Sequence, residues 1–567
     1  MPHDYIHLKL CANESRVIDE SDVWALYGPR SYDMAGGAAM KACLQMLKYC
    51  QEEHDFTEEA HKKCKVQRPP ILPTRVIDLE NPTRPKLYIS EQGQQARYVA
   101  LSYCWGGPQE VRLTKNTLED KVEGFETKDL PQTIQDAIEV TAKLGFPYLW
   151  IDALCIIQDD REDQDLEIAT MGNIYRNATL TIAASESRSV REGFLHSQFR
   201  YGACKLPLYL PDDTMGRIEV SHCKRIPDQG KWHLNTRAWA LQEELLSPRI
   251  LFFANGEIRW QCQSLYKERI LGPDSVDFGE GQGLQRLPPE LFTNTGDASL
   301  AEETSLGADM IVAEERRTKI HSQQKIWERI IENYSRRNIT IPSDRLPALA
   351  GIVSELEKCW SDKCVAGLWM NCFHGLLFWR ASGGSRRRCT ASNYTTCECN
   401  SVPRLRPKTL APTWSWLSCE GSIDFLNIAN ISWIPECEIV SVEPLLQNAP
   451  LGPRSGGQIL VRAFTINGPL NRAMDLVPFQ WVLIDDCNFT CHEIYEHAIY
   501  IQIQQELHDR EKYPDEGDGH AFPQSRGLVL MEVGNALFER VGTFNTSRAA
   551  RAFGDPSISE WRTLTII

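Results

Sequence analysis

Long hydrophobic runs are missing from the 567-residue sequence. The most apolar stretch, LWIDALCII at 149–157, is short and contains Asp152. A membrane-spanning helix needs about 18 or more consecutive apolar residues, so we predict no membrane span. The first residues also lack the basic and then apolar segments of a secretory signal, so we expect a cytoplasmic protein.

Positive charge is also in short supply. Lys and Arg together number 61 against 76 Asp and Glu, which gives a net charge of −15. A nucleic-acid phosphate backbone is therefore a poor partner for this chain. The 19 cysteines include a close pair, Cys397 and Cys399, but no second pair or His cluster at zinc-ligand spacing. We therefore predict no metal site, and we expect reduced thiols.

Two common enzyme motifs do not occur. The sequence has no G-x-S-x-G elbow of the serine hydrolases, and it has no G-x-x-x-x-G-K-[S/T] phosphate loop. Cys104 and Cys155 have no histidine in their own blocks to activate them. We therefore interpret both as buried structural thiols.

What the sequence does contain is an alternation of strand and helix patterns. Strand patterns at 98–103, 148–152 and 179–183 are separated by helix patterns at 131–145 and 163–175. Right-handed crossovers would make the three strands parallel, in an α/β fold. Functional residues gather at the carboxyl ends of such strands, where Ser102 and Asp152 stand.

The chain divides by composition into four segments. We predict an N-terminal extension at 1–75, a compact α/β domain at 76–270, an acidic and Gly-rich linker at 271–315, and a C-terminal region at 316–567. The C-terminal region is expected to be mixed, with many strands and Trp residues.

Five blocks stand out in the second segment: YVALSYCWG at 98–106, LPQTIQDAI at 130–138, YLWIDALCIIQDD at 148–160, MGNIY at 171–175 and RAWALQEELLSPR at 237–249. In this order they resemble a known family, the fungal heterokaryon incompatibility (HET) domain. One departure is Ala238, where the family often has Gly.

The resemblance implies an effector of non-self recognition and programmed cell death. It also implies a remote similarity to TIR domains, and hence a TIR-like, mostly parallel sheet flanked by helices. Some TIR domains cleave the nicotinamide N-glycosidic bond of NAD+, with a catalytic Glu four residues after a Trp. Trp239 and Glu243 have that spacing here. Glu243 is therefore the candidate catalytic residue, NAD+ the candidate substrate, and no cofactor is expected.

The residue type of Glu243 also fits a second interpretation, in which Glu243 lies at the surface and forms an ion pair with Arg237 or Arg249. A helical wheel places both Glu243 and Glu244 outside the apolar arc, so periodicity does not choose between the two. The candidate substrate-binding residues are Ser102, Tyr103, Trp105, Gly106, Asp152, Gln158 and Trp239.

Three of these binding candidates have simpler interpretations. Asp152 would equally serve to cap the following loop by accepting bonds from backbone N–H groups. Gln158 lies in an acidic loop that solvent would cover, and Trp105 would pack in a tight turn.

The alternative function is a non-enzymatic module that self-associates or binds a partner. The partners to expect are a second copy, through the HET domain, and a protein trigger.

Overall fold

The structure is a computed structural model with two compact units, Met1–Ala298 and Ser299–Ile567. It describes residues 7–11, 34–51, 64, 69–195, 203–209, 215–223, 232–254, 257–263, 268–271, 287, 309–382, 387–388, 411–419, 421–425, 433–444, 457–467, 479–484, 493–494, 497–506, 525–546 and 559–567. Most of the predicted linker at 271–315, and Cys397 and Cys399, lie outside these ranges. The four-segment division stays a prediction.

The first unit combines strands and helices. Its strands are β1 (His7–Cys11), β2 (Arg75–Asp78), β3 (Lys86–Ile89), β4 (Tyr98–Ser102), β5 (Tyr148–Trp150), β6 (Leu180–Ala184), β7 (Ala203–Tyr209), β8 (Met215–Cys223), β9 (Ile250–Ala254), β10 (Glu257–Gln261) and β11 (Glu268–Leu271). Its helices are α1 (Gly37–Gln51), α2 (Leu118–Glu123), α3 (Gln132–Lys143), α4 (Asp152–Cys155), α5 (Arg161–Asn177) and α6 (Ala238–Leu246).

An eight-stranded sheet organises this unit, in the order β11-β10-β9-β6-β4-β5-β2-β3. The four central strands β9, β6, β4 and β5 are parallel, as predicted for three of them. The two strands on each edge are antiparallel. Strands β1, β8 and β7 form a separate three-stranded sheet.

The predicted helices and strands of the central block are confirmed to within about two residues. Helix α3 begins one residue after Pro131, and Gly145 follows its end with φ +72°, the left-handed conformation that favours glycine after a helix. Helix α5 begins after Asp160, whose side chain accepts a bond from the Glu162 backbone N–H. Asp152 does not end a strand: it is the first residue of the short helix α4.

The order of the parallel strands creates a switch point. The chain passes from β4 to β5 on one side, and then to β6 and β9 on the other side of β4. This is the 2-1-3-4 order of flavodoxin-like sheets, in which ligands bind where the direction reverses. Ser102 ends β4 at this position and is in register with Ala183 of β6, which in turn is in register with Phe252 of β9.

Helix α6 covers the sheet face on which these residues lie. Ala240 of α6 packs in one buried cluster with Ala183 and Phe252. Helix α1 belongs to the larger core cluster, through Met40, Cys43, Leu47 and Cys50. The N-terminal residues therefore contribute to the same core as the central sheet.

The second unit is rich in strands, as predicted. Its helices are α7 (Asp309–Ser335), α8 (Ala350–Trp360) and α9 (Phe373–Leu376). Its strands are β12 (Cys364–Val365), β13 (Leu368–Trp369), β14 (Trp379–Ser382), β15 (Arg387–Arg388), β16 (Ser422–Phe425), β17 (Trp433–Pro435), β18 (Glu438–Pro444), β19 (Gly457–Asn467), β20 (Phe479–Ile484), β21 (Ile499–Glu506), β22 (Ser525–Gly534), β23 (Leu537–Thr546) and β24 (Glu560–Ile566).

A nine-stranded sheet forms the main part of this unit, in the order β15-β20-β23-β22-β21-β19-β18, with β17 on β21 and β24 between β19 and β23. Its pairs are antiparallel except β23 with β24. Buried tryptophans Trp369, Trp414 and Trp416 pack in the core of this unit. Among the described helices of both units, none is long and apolar enough to cross a membrane.

Candidate functional site

Glu243 lies in the interior, on helix α6. The segment AWALQEELL consists mostly of strong helix formers, and it is buried on nearly every side. Glu243 is only 3% exposed, whereas the neighbouring Glu244 is half-buried. The alternative interpretation, in which Glu243 is a surface residue, is therefore wrong. A buried carboxylate needs compensating partners, because its desolvation is costly.

The partner that ends β4 is Ser102, whose hydroxyl donates a hydrogen bond to Glu243 Oε2. Burial raises the pKa of Glu243 from 4.5 to about 7. The charge of Arg237 and the hydroxyls of Ser102 and Tyr175 act in the opposite direction, and the negative charge of Asp152 adds to the increase. At neutral pH this carboxyl group is therefore close to half ionised.

Arg237 supplies the positive charge of the site. It precedes helix α6, and its Nη1 donates a hydrogen bond to the Tyr103 carbonyl. Burial favours a lower pKa for Arg237, but the negative charges of Glu243 and Asp152 outweigh it and leave that pKa raised. One guanidinium is thus shared electrostatically by two carboxylates.

Asp152 and Trp105 form a second pair at the carboxyl ends of β5 and β4. The Trp105 indole Nε1 donates to Asp152 Oδ2 at 2.8 Å, and the Ala153 backbone N–H donates to Asp152 Oδ1 at 2.7 Å. Asp152 therefore bonds to the backbone of its own helix and also fixes the Trp105 ring. Both residues are half-buried, so neither is closed off from solvent.

Two buried tyrosines, Tyr103 and Tyr175, lie close to these charged groups. The Tyr103 hydroxyl is buried and has no hydrogen-bond partner among the described residues. Burial and the nearby charge of Asp152 raise the pKa of Tyr103 well above its usual value. The Tyr175 hydroxyl donates to the Leu101 carbonyl at 2.9 Å, and burial together with the charge of Glu243 raises its pKa as well. Both phenols are neutral donors at physiological pH.

A small cavity opens beside Glu243, with about 10 Å³ of free space. Its lining is Ser102, Thr181, Ala183, Leu234, Asn235, Ala240, Glu243, Glu244, Ile250 and Phe252. The cavity therefore lies at the β4/β6 switch point, on the α6 face of the sheet. That space holds about one water molecule, and it is far below the roughly 300 to 1,000 Å³ of ordinary ligand pockets.

The family model for heterokaryon incompatibility protein (HET) matches residues 98–243. The chain carries a HET domain. No curated protein and no solved structure matches the chain. The matched segment begins at β4 and ends on Glu243, so it encloses Ser102, Asp152 and Arg237.

The structure brings together five of the predicted site residues of the HET domain. Glu243, Ser102, Tyr103, Asp152 and Trp105 surround the guanidinium of Arg237 or contact one another. Their assignment to catalysis and substrate binding stays a prediction.

The other predicted binding residues of the HET domain make structural contacts. Gln158 Nε2 donates to the carbonyls of Asp152 and Ile156, each at 3.1 Å. Trp239 is half-buried and packs against the larger core cluster. Gly106 has φ +74°, and a Cβ there would lie 2.1 Å from the Ser189 Cβ. Gly106 is therefore required by close packing.

The two cysteines near this site are not nucleophiles. Burial raises the pKa of Cys104 to about 11 and that of Cys155 to about 12. Neither forms an appreciable amount of thiolate at neutral pH. Both are buried, as predicted.

Sequence reasoning missed two residues of the site, Arg237 and Tyr175. The sequence suggests Arg237 only as a surface ion-pair partner of Glu243, and it suggests no role for Tyr175. Both stand inside the sequence blocks that carry the resemblance, Tyr175 at the end of MGNIY and Arg237 at the start of RAWALQEELLSPR. The available signal is that both residues are polar and stand at the edge of a block.

Proposed function

We propose that the HET domain is an effector of regulated cell death that hydrolyses the nicotinamide N-glycosidic bond of NAD+. The observation that carries the proposal is the buried Glu243 carboxyl, which faces a cavity at the switch point with a pKa raised to about 7. A strongly perturbed carboxyl in a cleft is a typical candidate for catalysis. The location that goes with this proposal is the cytoplasm, where NAD+ is available.

The chemistry needs one carboxylate. When the bond between ribose C1 and the pyridinium nitrogen breaks, its electron pair returns to the ring, and nicotinamide leaves as a neutral molecule. The leaving group therefore needs no proton from a general acid. Positive charge develops on the ribose, and ionised Glu243 would stabilise it. Water then adds to C1 and loses a proton, which gives ADP-ribose.

The neighbouring groups would orient the substrate around Glu243. Tyr103 and Trp105 do not line the small cavity, so they would contact the substrate outside it. There the Tyr103 hydroxyl, close to Asp152, would be a donor, and the Trp105 ring, which Asp152 holds in place, would be an apolar wall. Arg237 would keep part of the Glu243 population ionised, because its charge lowers the pKa of Glu243. The Trp239 to Glu243 spacing, shared with NAD-cleaving TIR domains, adds to this assignment.

A second candidate function is a non-enzymatic module that self-associates or binds a triggering protein. The size of the cavity favours it, because about 10 Å³ of free space holds one water molecule and is far smaller than NAD+. In that account Glu243, Ser102 and Arg237 form a buried polar network that stabilises the domain.

Expression in a fungal host distinguishes the two functions. The full chain, Glu243→Ala and the control Glu167→Ala are expressed to equal levels, and cell survival and cellular NAD+ are followed together. Glu167 is a buried glutamate that pairs with Arg75 and does not line the cavity. Catalysis predicts that the parent and Glu167→Ala deplete NAD+ and kill, whereas Glu243→Ala does neither. If soluble, folded Glu243→Ala kills as well as the parent, the catalytic function is lost and the module is supported.

A further inference from the structure

Three cysteine thiols meet in the first unit. The sulfur atoms of Cys50, Cys64 and Cys262 all lie within 4.8 Å of one another. Cys50 is near the end of α1, Cys262 follows β10, and Cys64 stands in the sequence between α1 and β2. Sequence spacing did not reveal this group, because the fold brings together cysteines that are far apart along the chain.

The spacing of the three sulfur atoms suits one tetrahedral ion. Thiolates bound to Zn²⁺ at about 2.3 Å lie roughly 3.8 Å from one another, inside the observed limit. Soft thiolate ligands in a tetrahedral arrangement select zinc over hard cations such as Mg²⁺ or Ca²⁺. Three protein ligands leave the fourth position to a water molecule or another side chain.

The surroundings of the cluster also suit a metal site. Cys50 and Cys262 are 1% and 0% exposed, while Cys64 is half-buried and leaves a route for an ion. Arg249 Nε donates to Cys50 Sγ at 3.3 Å, and Arg249 is itself 2% exposed. A buried guanidinium beside a sulfur ligand offsets the negative charge of three thiolates, as outer groups do around metal sites.

Hydrogen bonding with Cys262 and Cys64, together with burial, raises the pKa of Cys50. Binding of Zn²⁺ would displace one proton from each thiol, so that affinity falls as the pH is lowered.

We propose that Cys50, Cys64 and Cys262 bind a structural Zn²⁺ ion. Through Cys50 and Cys262, the ion links the end of α1 to the residue that follows β10, on the antiparallel edge of the eight-stranded sheet. Through Cys64, it also links the chain segment between α1 and β2 to these two elements. Helix α1 already packs near β11, so the ion closes an existing contact. This site is independent of the proposed NAD+ chemistry.

The test is metal analysis of the full chain, purified under reducing conditions without chelators. The parent should hold about one zinc per chain, and Cys50→Ala or Cys262→Ala should lose it. Cys43→Ala is the matched control, since Cys43 is a buried cysteine on the same helix and lies outside the cluster. It should retain the zinc.

A second measurement needs no variant. Replacement of zinc by Co²⁺ in the parent should give the near-ultraviolet absorption of thiolate-to-cobalt charge transfer, and a chelator should lower the unfolding temperature. The proposal is overturned if the parent takes up no zinc after reconstitution. A disulfide between Cys50 and either partner in the freshly purified chain, or zinc retained by a Cys50→Ala/Cys64→Ala/Cys262→Ala variant, would also overturn it.

Discussion

The Ser102 hydroxyl donates a hydrogen bond to Glu243, although 141 residues separate them in the chain. The bond connects the carboxyl end of a central parallel strand to the helix that covers it. It directs the one strongly buried carboxyl of α6 to the switch point of the sheet. The pKa of Glu243 therefore reflects its burial first, with Arg237 and this hydrogen bond acting in the opposite direction.

The first prediction concerns the pH dependence of nicotinamide release. Because the ionised form of Glu243 stabilises the transition state, and its pKa is raised to about 7, activity should rise with pH through about 7 and then level off. The measurement is a pH profile of nicotinamide release by the assembled full chain. Activity that is flat from pH 5.5 to pH 8.5 would contradict the role of Glu243 ionisation.

Substitution of Ser102 should move that profile. Ser102→Ala removes a donor that favours the ionised carboxylate, so the pKa of Glu243 should rise and the midpoint should shift to higher pH. Ser187→Ala is the control, because Ser187 is an equally buried serine that donates to the Gly193 carbonyl instead. The control should leave the midpoint in place, and an identical shift in both variants would exclude a specific effect.

The stability of the HET domain should depend on the charge of Glu243. Its pKa is raised in the folded chain from 4.5 to about 7, so the fold binds an extra proton between these values and loses stability as the pH rises through them. At pH 8 the cost is about 3 kcal/mol. Glu243→Gln, which cannot ionise, should therefore be more stable than the parent at pH 8, by about 1 to 3 kcal/mol. Urea unfolding at pH 8 and pH 5 should show this gain shrinking at the lower pH.

Gly106 provides a test of packing beside the site. Gly106→Ala forces a Cβ to within 2.1 Å of the Ser189 Cβ, whereas Gly93→Ala, at φ +78°, meets open space. Both substitutions carry the left-handed backbone cost of about 1 to 2 kcal/mol. Gly106→Ala should lower the free energy of unfolding by at least about 1 kcal/mol more than Gly93→Ala does, because its Cβ overpacks the turn. Equal unfolding free energies for the two variants would mean that the turn relaxes freely.

The central fold could be predicted from the sequence because local patterns determine it. The apolar run at Tyr148, the proline before α3 and the glycine after it mark the ends of β5 and α3, and parallel pairing follows from the crossover rule. The antiparallel edges were not predicted, because strands such as β2 and β3 are short and pair with partners set by tertiary packing.

The site was only partly predictable for a related reason. Helix α6 is buried around almost its whole circumference, so a helical wheel that assumes one apolar face cannot distinguish Glu243 from Glu244. Tertiary structure makes the distinction, since Ser102 reaches Glu243 and leaves Glu244 at the cavity wall. The electrostatic role of Arg237 depends in the same way on contacts across the sheet.

The most direct test of the central claim is nicotinamide release from NAD+ at pH 8 by the assembled full chain, with Glu243→Gln and the control Glu167→Gln compared at equal protein concentration. The account predicts that the parent and Glu167→Gln release nicotinamide at similar rates, because Glu167 pairs with Arg75 outside the cavity, and that Glu243→Gln is slower by about 100-fold or more. Equal rates for all three proteins, or no release by any assembled form, would contradict it.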